Sequence, residues 1–166
     1  MTARLILVGL AAAVATPAPA LVAVRRARAE AEHRRLSGTW VATAGVHDGT
    51  TLTRAELARI RLTLRSPQDG PFYTFTDFRC LIDDPSAVAT DFSLQPWTAP
   101  QSFEAVRQFG GRASRYPGIY ERGGDTLRLC VDLRFSPDGP PMRVRPTAFA
   151  APAGSGLTLL MLTRAK

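Results

Sequence analysis

The two cysteines of this sequence are its most reactive side chains, and their chemistry depends on the compartment. Cys80 ends an aromatic-rich, strand-like run, and Cys130 lies in the second arm of a hairpin-like segment. In an oxidising compartment a disulfide between them would stabilise the fold by roughly 3–4 kcal/mol in the chain-entropy model. Two unpaired thiols, one of them buried, are the alternative. No C-x-x-C or H-x-x-x-H spacing occurs, so we expect no metal site and no cofactor.

The histidines and the acidic residues do not form a recognisable catalytic pattern. His33 lies in a basic N-terminal segment and His47 in a turn, and neither belongs to a nucleophile motif. We therefore interpret both as surface residues. Asp83, Asp84 and Asp91 could form a carboxylate cluster for acid–base chemistry or Ca²⁺, but they lack EF-hand spacing, and Asp-Pro is common in turns. The sequence thus predicts no catalytic residues.

The element that organises the rest of the chain is a hairpin within residues 116–150. Two arms, residues 119–122 and 126–131, flank a turn at residues 123–125 whose glycines permit positive φ angles. Apolar and polar side chains alternate in the second arm, which therefore has one apolar face. A further short strand at residues 142–145 would extend the hairpin into an antiparallel meander.

Alternation and composition predict the remaining elements. The other predicted strands are residues 40–44, 60–65, 72–80, 88–94 and 156–164. Thr53 and Glu56 have the spacing of a capping box, which predicts one helical turn over residues 53–59. Residues 95–115 contain two prolines and a Gly-Gly pair, so we expect a surface loop there, with a short helix near residues 103–109.

The N-terminal residues predict a targeting segment. Arg4 precedes an apolar run at residues 5–14, and Ala18-Pro19-Ala20 fits a small-x-small cleavage site. We therefore predict a signal peptide over residues 1–20 and export to the periplasm or the medium. The alternative is an uncleaved membrane anchor that reaches Val24.

A basic helical linker is predicted for residues 21–35, which are rich in Ala, Glu and Arg. The whole chain has 21 basic and 14 acidic residues, and arginines crowd this linker. A solvated run is the simplest interpretation. Contact of Arg25, Arg26 and Arg28 with an anionic membrane surface is the alternative. Aromatic residues do not alternate with these arginines, so we expect no nucleic-acid binding.

Two runs of the sequence are similar to a known family. GIYERGGDTLRLC (residues 118–130) and RPTAFAAPAGSGLTLLMLTR (residues 145–164) resemble the C-terminal half of an uncharacterised bacterial domain family first noted in Planctomycetes. The family's opening L-x-G-T-W run is matched by LSGTW at residues 36–40. The resemblance implies a lipocalin-like β-barrel of unknown function, and it brings no catalytic residues with it.

Three residues carry the likeness to lipocalins. Gly38 and Trp40 match the G-x-W of the first lipocalin strand, and Arg164 ends the last strand, where that superfamily keeps a basic residue. In such folds the guanidinium covers the indole by a cation–π contact and the pair seals the closed end of the barrel. We therefore predict a mainly β protein: a small antiparallel lipocalin-like (calycin-like) β-barrel over residues 36–166, with one or two short helices.

The predicted function is a non-catalytic, exported binding module. Its barrel would accept a small apolar ligand or a partner peptide, and four aromatic side chains could line the cavity, or simply fill it: Phe72, Tyr73, Phe75 and Phe78. The second function considered is a structural or interaction domain of the cell envelope with a filled barrel and no pocket.

Overall fold

The computed structural model describes residues 19–64, 89–109, 112–132 and 144–166. The elements in chain order are α1 (Pro19–Leu36), β1 (Gly38–His47), β2 (Thr50–Thr51), α2 (Arg54–Leu57), β3 (Arg61–Leu64), β4 (Ala89–Gln95), β5 (Gln101–Phe109), β6 (Arg112–Gly123), β7 (Thr126–Asp132) and β8 (Leu157–Arg164). The mainly β class predicted from the sequence is therefore confirmed. The strands predicted at residues 40–44, 60–65, 88–94 and 156–164 are present as β1, β3, β4 and β8.

The eight strands in these ranges form one antiparallel sheet. Its order is β2-β1-β8-β7-β6-β5-β4, and β3 pairs with the first half of β1. Strands β3 and β4 do not pair with each other within the described ranges, so the sheet is open there. The antiparallel sheet is thus confirmed, whereas closure into a barrel is not. The strand predicted at residues 72–80 lies outside the described residues.

The predicted hairpin is formed by β6 and β7. Gly123 pairs with Thr126, so the turn consists of Gly124 and Asp125. Gly124 has φ +63°, a left-handed conformation that costs glycine little because it has no Cβ atom. The apolar side chains of β7 are buried on one face, as their alternation predicts: Leu127, Leu129 and Val131.

The buried core lies on one side of this sheet, which we call the inner face. Side chains at alternate positions of neighbouring strands point to the same side, and here they meet in one apolar cluster. Trp40, Phe103 and Tyr120 are among the largest fully buried side chains. Gly118 lies opposite Phe103 in the register, and a Cβ atom on Gly118 would lie 2.3 Å from Phe103 Cζ. The aromatic ring therefore occupies the space that the missing side chain leaves.

Residues 95–115 do not form the predicted loop with a short helix. They contain a turn, strand β5 and the start of β6. Phe103 and Ala105 are buried, whereas Glu104 and Val106 between and after them are only half-buried. This alternation is typical of a strand, and the prolines and glycines that suggested a loop flank β5 rather than interrupt it. The strand predicted at residues 142–145 is also wrong where it is described, because residues 144–146 are irregular.

The predicted basic linker is a helix, but it is longer and more firmly packed than expected. Helix α1 begins at Pro19, inside the segment predicted as a signal peptide, and runs to Leu36. One side of its last turns is buried, as Glu32, His33 and Leu36 show, whereas Arg34 and Arg35 remain exposed. The surface position predicted for His33 is therefore wrong. No helix in the described ranges has the length and apolar character needed to cross a membrane.

Helix α2 is the short helix that the capping box predicts. The Thr53 hydroxyl accepts the backbone N–H of Glu56, and the Glu56 carboxylate accepts the backbone N–H of Thr53 at 2.6 Å. These two bonds satisfy donors that the first turn of a helix cannot satisfy itself. They fix where the chain turns from β2 toward β3.

Candidate functional site

Trp40 and Arg164 meet where β1 pairs with β8. They are direct neighbours in the strand register, so their side chains leave the sheet on the same side. The Arg164 Cζ atom lies 4.3 Å from the centroid of the Trp40 ring. Trp40 is completely buried, and its indole N–H donates to the carbonyl of Leu36 at 2.8 Å. The contact that the sequence predicts is therefore present.

Arg164 also holds the end of helix α1. Its guanidinium donates to the carbonyl oxygens of Ser37 at 2.6 Å and Arg35 at 2.7 Å. Carbonyls at a helix C-terminus lack partners within the helix and carry partial negative charge, so a guanidinium is well suited to them. A Cβ atom on Gly38, which has φ +123°, would lie 2.7 Å from Arg164 Nη1. Gly38, Trp40 and Arg164 thus join helix and sheet, which is a structural role.

A polar cluster lies between α1 and the inner face. The buried Glu32 carboxylate forms ion pairs with Arg122 (3.5 Å) and Arg35 (3.6 Å). Beside it, the Tyr120 hydroxyl is buried and makes no hydrogen bond to any described residue. Burial raises the pKa of Tyr120 far above its usual value, the Glu32 charge raises it further and Arg122 opposes both. The phenol is therefore neutral at any physiological pH.

His33 packs against the sheet on the same side of α1. Its ring lies edge-on to Phe92, with 6.0 Å between the ring centroids. Burial lowers the pKa of His33 to about 4, although the nearby Glu30 charge raises it slightly. The imidazole is therefore neutral near pH 7, and its role there is packing.

Residues 144–156, which we call the strap, cross the opposite, outer face of the sheet. The Arg145 guanidinium donates to Ser102 Oγ at 3.3 Å and to Gln95 Oε1 at 3.5 Å. At the other end, the Asp48 carboxylate accepts the backbone N–H of Gly156 at 2.7 Å. Arg145, the first residue of the R-P-T-x-F run, therefore holds one end of the strap against the outer face.

Cys130 contacts the middle of the strap. It is a buried free thiol, and its S–H donates to the carbonyl of Ala150 at 3.3 Å. Burial raises the pKa of the thiol, and this hydrogen bond opposes the shift. The predicted disulfide is not found, and Cys80 lies outside the described residues. The alternation in the second arm predicts that Cys130 faces away from Leu127 and Leu129, but it does not show that the strap covers the thiol.

Among the described residues, most of the exposed large apolar side chains lie at one place on the surface; the exception is Val144 in the strap, which is 71% exposed. Leu21, Val22 and Val24 in the first half of α1 are 45%, 56% and 56% exposed, and Trp97 in the turn between β4 and β5 is 36% exposed. The Arg25 guanidinium lies 5.6 Å from the centroid of the Trp97 ring. The first half of α1 and the β4–β5 turn thus form one surface, which is the candidate functional site.

Comparison of the chain with protein-family models, curated proteins and solved structures finds no match. The candidate site therefore has to be judged by its own geometry.

Several predicted site residues are not part of this geometry. The four predicted lining aromatics, Phe72, Tyr73, Phe75 and Phe78, lie outside the described residues, as do Asp83 and Asp84. His47 ends β1 and pairs with Thr50 across the predicted turn at Asp48-Gly49, and its Nδ1 lies 2.9 Å from Thr158 Oγ1. In the described ranges, no group of three His, Cys, Asp or Glu side chains could hold a metal ion. Sequence reasoning missed Trp97 because nothing local marks it as a neighbour of the helix.

Proposed function

We propose that this chain is a non-catalytic interaction domain of the bacterial cell envelope. It acts through the surface formed by the first half of α1 and the β4–β5 turn. The observation that carries the proposal is the contrast between the inner face and helix α1. The inner face is filled by large side chains such as Trp40, Phe103 and Tyr120, whereas apolar side chains at the start of α1 are exposed. Exposed apolar groups beside charged ones are typical of contact surfaces. This favours the second function considered from the sequence.

The perturbed titratable groups support a non-catalytic role. Burial is the main cause of the pKa shifts of Tyr120, His33 and Cys130. Tyr120 and His33 lie at the inner face, whereas Cys130 lies under the strap on the outer face. An active site instead needs such groups to converge on one reacting atom.

We also propose export and a closed barrel. Arg4, the apolar run at residues 5–14 and Ala18-Pro19-Ala20 support a cleaved signal peptide over residues 1–20. The Trp40–Arg164 contact supports a lipocalin-type barrel. Mass spectrometry of the protein isolated from its source would test the cleavage, since an N-terminus before residue 21 contradicts it.

Site-specific photo-cross-linking tests the proposed function. A benzophenone amino acid would replace Val24 or Trp97 in the full chain in cells of the source bacterium, with exposed Arg61 of β3 as the control position. We expect cross-links from Val24 and Trp97, to protein or to lipid, that Arg61 does not form. If neither position exceeds the control, the surface has no partner and the proposal fails.

A small apolar ligand is the second candidate, and one observation favours it. The buried Tyr120 hydroxyl has no hydrogen-bond partner among the described residues, and such a group can orient a ligand. Melting temperatures measured with fatty acids and lysolipids would test this, because a ligand at 100 times its Kd stabilises by about 2.7 kcal/mol. A saturable rise in melting temperature that Tyr120→Phe removes would show ligand binding. It would overturn the proposal of an interaction domain without a ligand pocket.

A further inference from the structure

The first half of helix α1 presents a mixed apolar and basic face. Leu21, Val24, Arg25 and Arg28 occupy helix positions i, i+3, i+4 and i+7, which lie on one side of an α-helix. All four are exposed. The apolar residues come first along the helix and the arginines follow.

Trp97 extends this face onto the globular part of the molecule. It lies in the turn between β4 and β5, and the Arg25 Cζ atom lies over its ring, 5.6 Å from the ring centroid. Tryptophan favours the boundary between water and lipid because its ring is apolar and its N–H is polar. The fold thus adds an interfacial side chain that the linear sequence separates from the helix by many residues.

The charges on this face are available to an anion. Arg26 pairs with Glu30 at 2.9 Å. Neither Arg25 nor Arg28 forms an ion pair with a carboxylate in the part of the chain that the structure describes. Each basic residue near an anionic membrane contributes about 1 kcal/mol of attraction.

We infer that Leu21, Val24, Arg25, Arg28 and Trp97 form a docking surface for an anionic lipid membrane. Leu21, Val24 and Trp97 would enter the headgroup boundary while the two arginines contact lipid phosphates. The inference rests on the proposed function, since it names the partner of the same surface.

Vesicle binding by the full chain tests the inference. Sedimentation would compare vesicles of pure phosphatidylcholine with vesicles of equal parts phosphatidylcholine and phosphatidylglycerol. We expect binding only to the anionic vesicles, and weaker binding at high salt. Arg25→Gln/Arg28→Gln should weaken it about 30-fold, from about 1 kcal/mol per charge. The charge-matched control Arg54→Gln/Arg61→Gln, at two exposed residues elsewhere, should bind like the unmodified chain.

Tryptophan fluorescence gives a second, independent readout of vesicle binding. The chain has two tryptophans, and Trp40 is fully buried, so a change in emission on vesicles reports Trp97. We expect a blue shift on anionic vesicles, which Trp97→Phe should abolish. Equal binding by the Arg25→Gln/Arg28→Gln variant, equal binding to neutral vesicles, or no blue shift would each overturn the inference.

Two further outcomes identify other partners. Cross-links from Val24 and Trp97 to protein without vesicle binding would leave the proposed function intact and overturn the lipid inference. Binding of a DNA duplex through Arg25 and Arg28, without a Trp97 shift on vesicles, would overturn it in favour of nucleic acid.

Discussion

His33 makes the docking of helix α1 sensitive to acid. The structure lowers the pKa of this buried imidazole to about 4, whereas its ordinary value in an unfolded chain is 6.5. Above pH 6.5 the residue is neutral in both states and costs nothing. Between pH 6.5 and pH 4 the unfolded chain binds a proton that the folded protein excludes, so stability falls as the pH falls.

The size of this effect follows from the two pKa values. Linkage gives a loss of about 2 kcal/mol at pH 5 and about 3 kcal/mol at pH 4, relative to pH 7. Below pH 4 the folded protein is also protonated, and this residue causes little further loss. Such a change is a large fraction of the stability of an ordinary domain.

Urea unfolding at pH 7, 6 and 5 measures the effect against two variants. His33→Gln removes the titrating group. Between pH 7 and pH 5 the variant should therefore lose about 2 kcal/mol less stability than the unmodified chain. In His47→Gln, the variant of the other histidine, His33 still titrates and the loss attributed to it should remain. Carboxylates that titrate in this range are common to all three proteins and cancel in the differences.

Hydrogen exchange locates the loss. If α1 leaves the sheet before the sheet unfolds, its amides should lose protection at pH 5 while those of β6 and β7 keep it. Equal loss of stability in the unmodified chain and in His33→Gln would refute the reasoning, because His33 would then titrate alike in both states.

Three further substitutions test the fold. Arg164→Leu removes the contact with Trp40 and the hydrogen bonds to α1, and should cost about 3 kcal/mol in urea unfolding; an unchanged midpoint would contradict the structural role. Gly118→Ala places a Cβ atom 2.3 Å from Phe103 Cζ and should cost about 3 kcal/mol, of which Phe103→Leu in the same chain restores a part; strictly additive effects would argue against the contact. Thr53→Ala removes the N-cap of α2 and should cost about 1 kcal/mol in thermal unfolding, whereas exposed Thr51→Ala should cost less.

The sequence predicts those features that depend on neighbours along the chain or on strand pairing. The turn at Gly124 and the apolar face of β7 follow from residue type and alternation. The contact between Trp40 and Arg164 was expected from a resemblance, and the β1–β8 register provides it. The first two features depend on one short segment each, whereas the Trp40–Arg164 contact depends on the pairing of two strands that are distant in the sequence.

The sequence does not predict features that depend on distant packing. Glu32 and His33 belong to a helix rich in Ala, Glu and Arg, which suggests exposure, and only Arg122 and Phe92 from other strands show that they are buried. Strand β5 was missed because prolines before it and glycines after it obscured its alternation. The proximity of Trp97 to α1 likewise exists only after β4 and β5 have paired.

Strand β1 pairs on one edge with β2 and β3, which follow it directly in the sequence, but its other edge pairs only with β8. Most of its length pairs with β8, which is synthesised last among the described strands, so the first strand waits while the β6–β7 hairpin can form early. Contacts between such distant segments make folding slow. The core of a nascent chain is therefore incomplete until β8, with Arg164 at its end, has been synthesised.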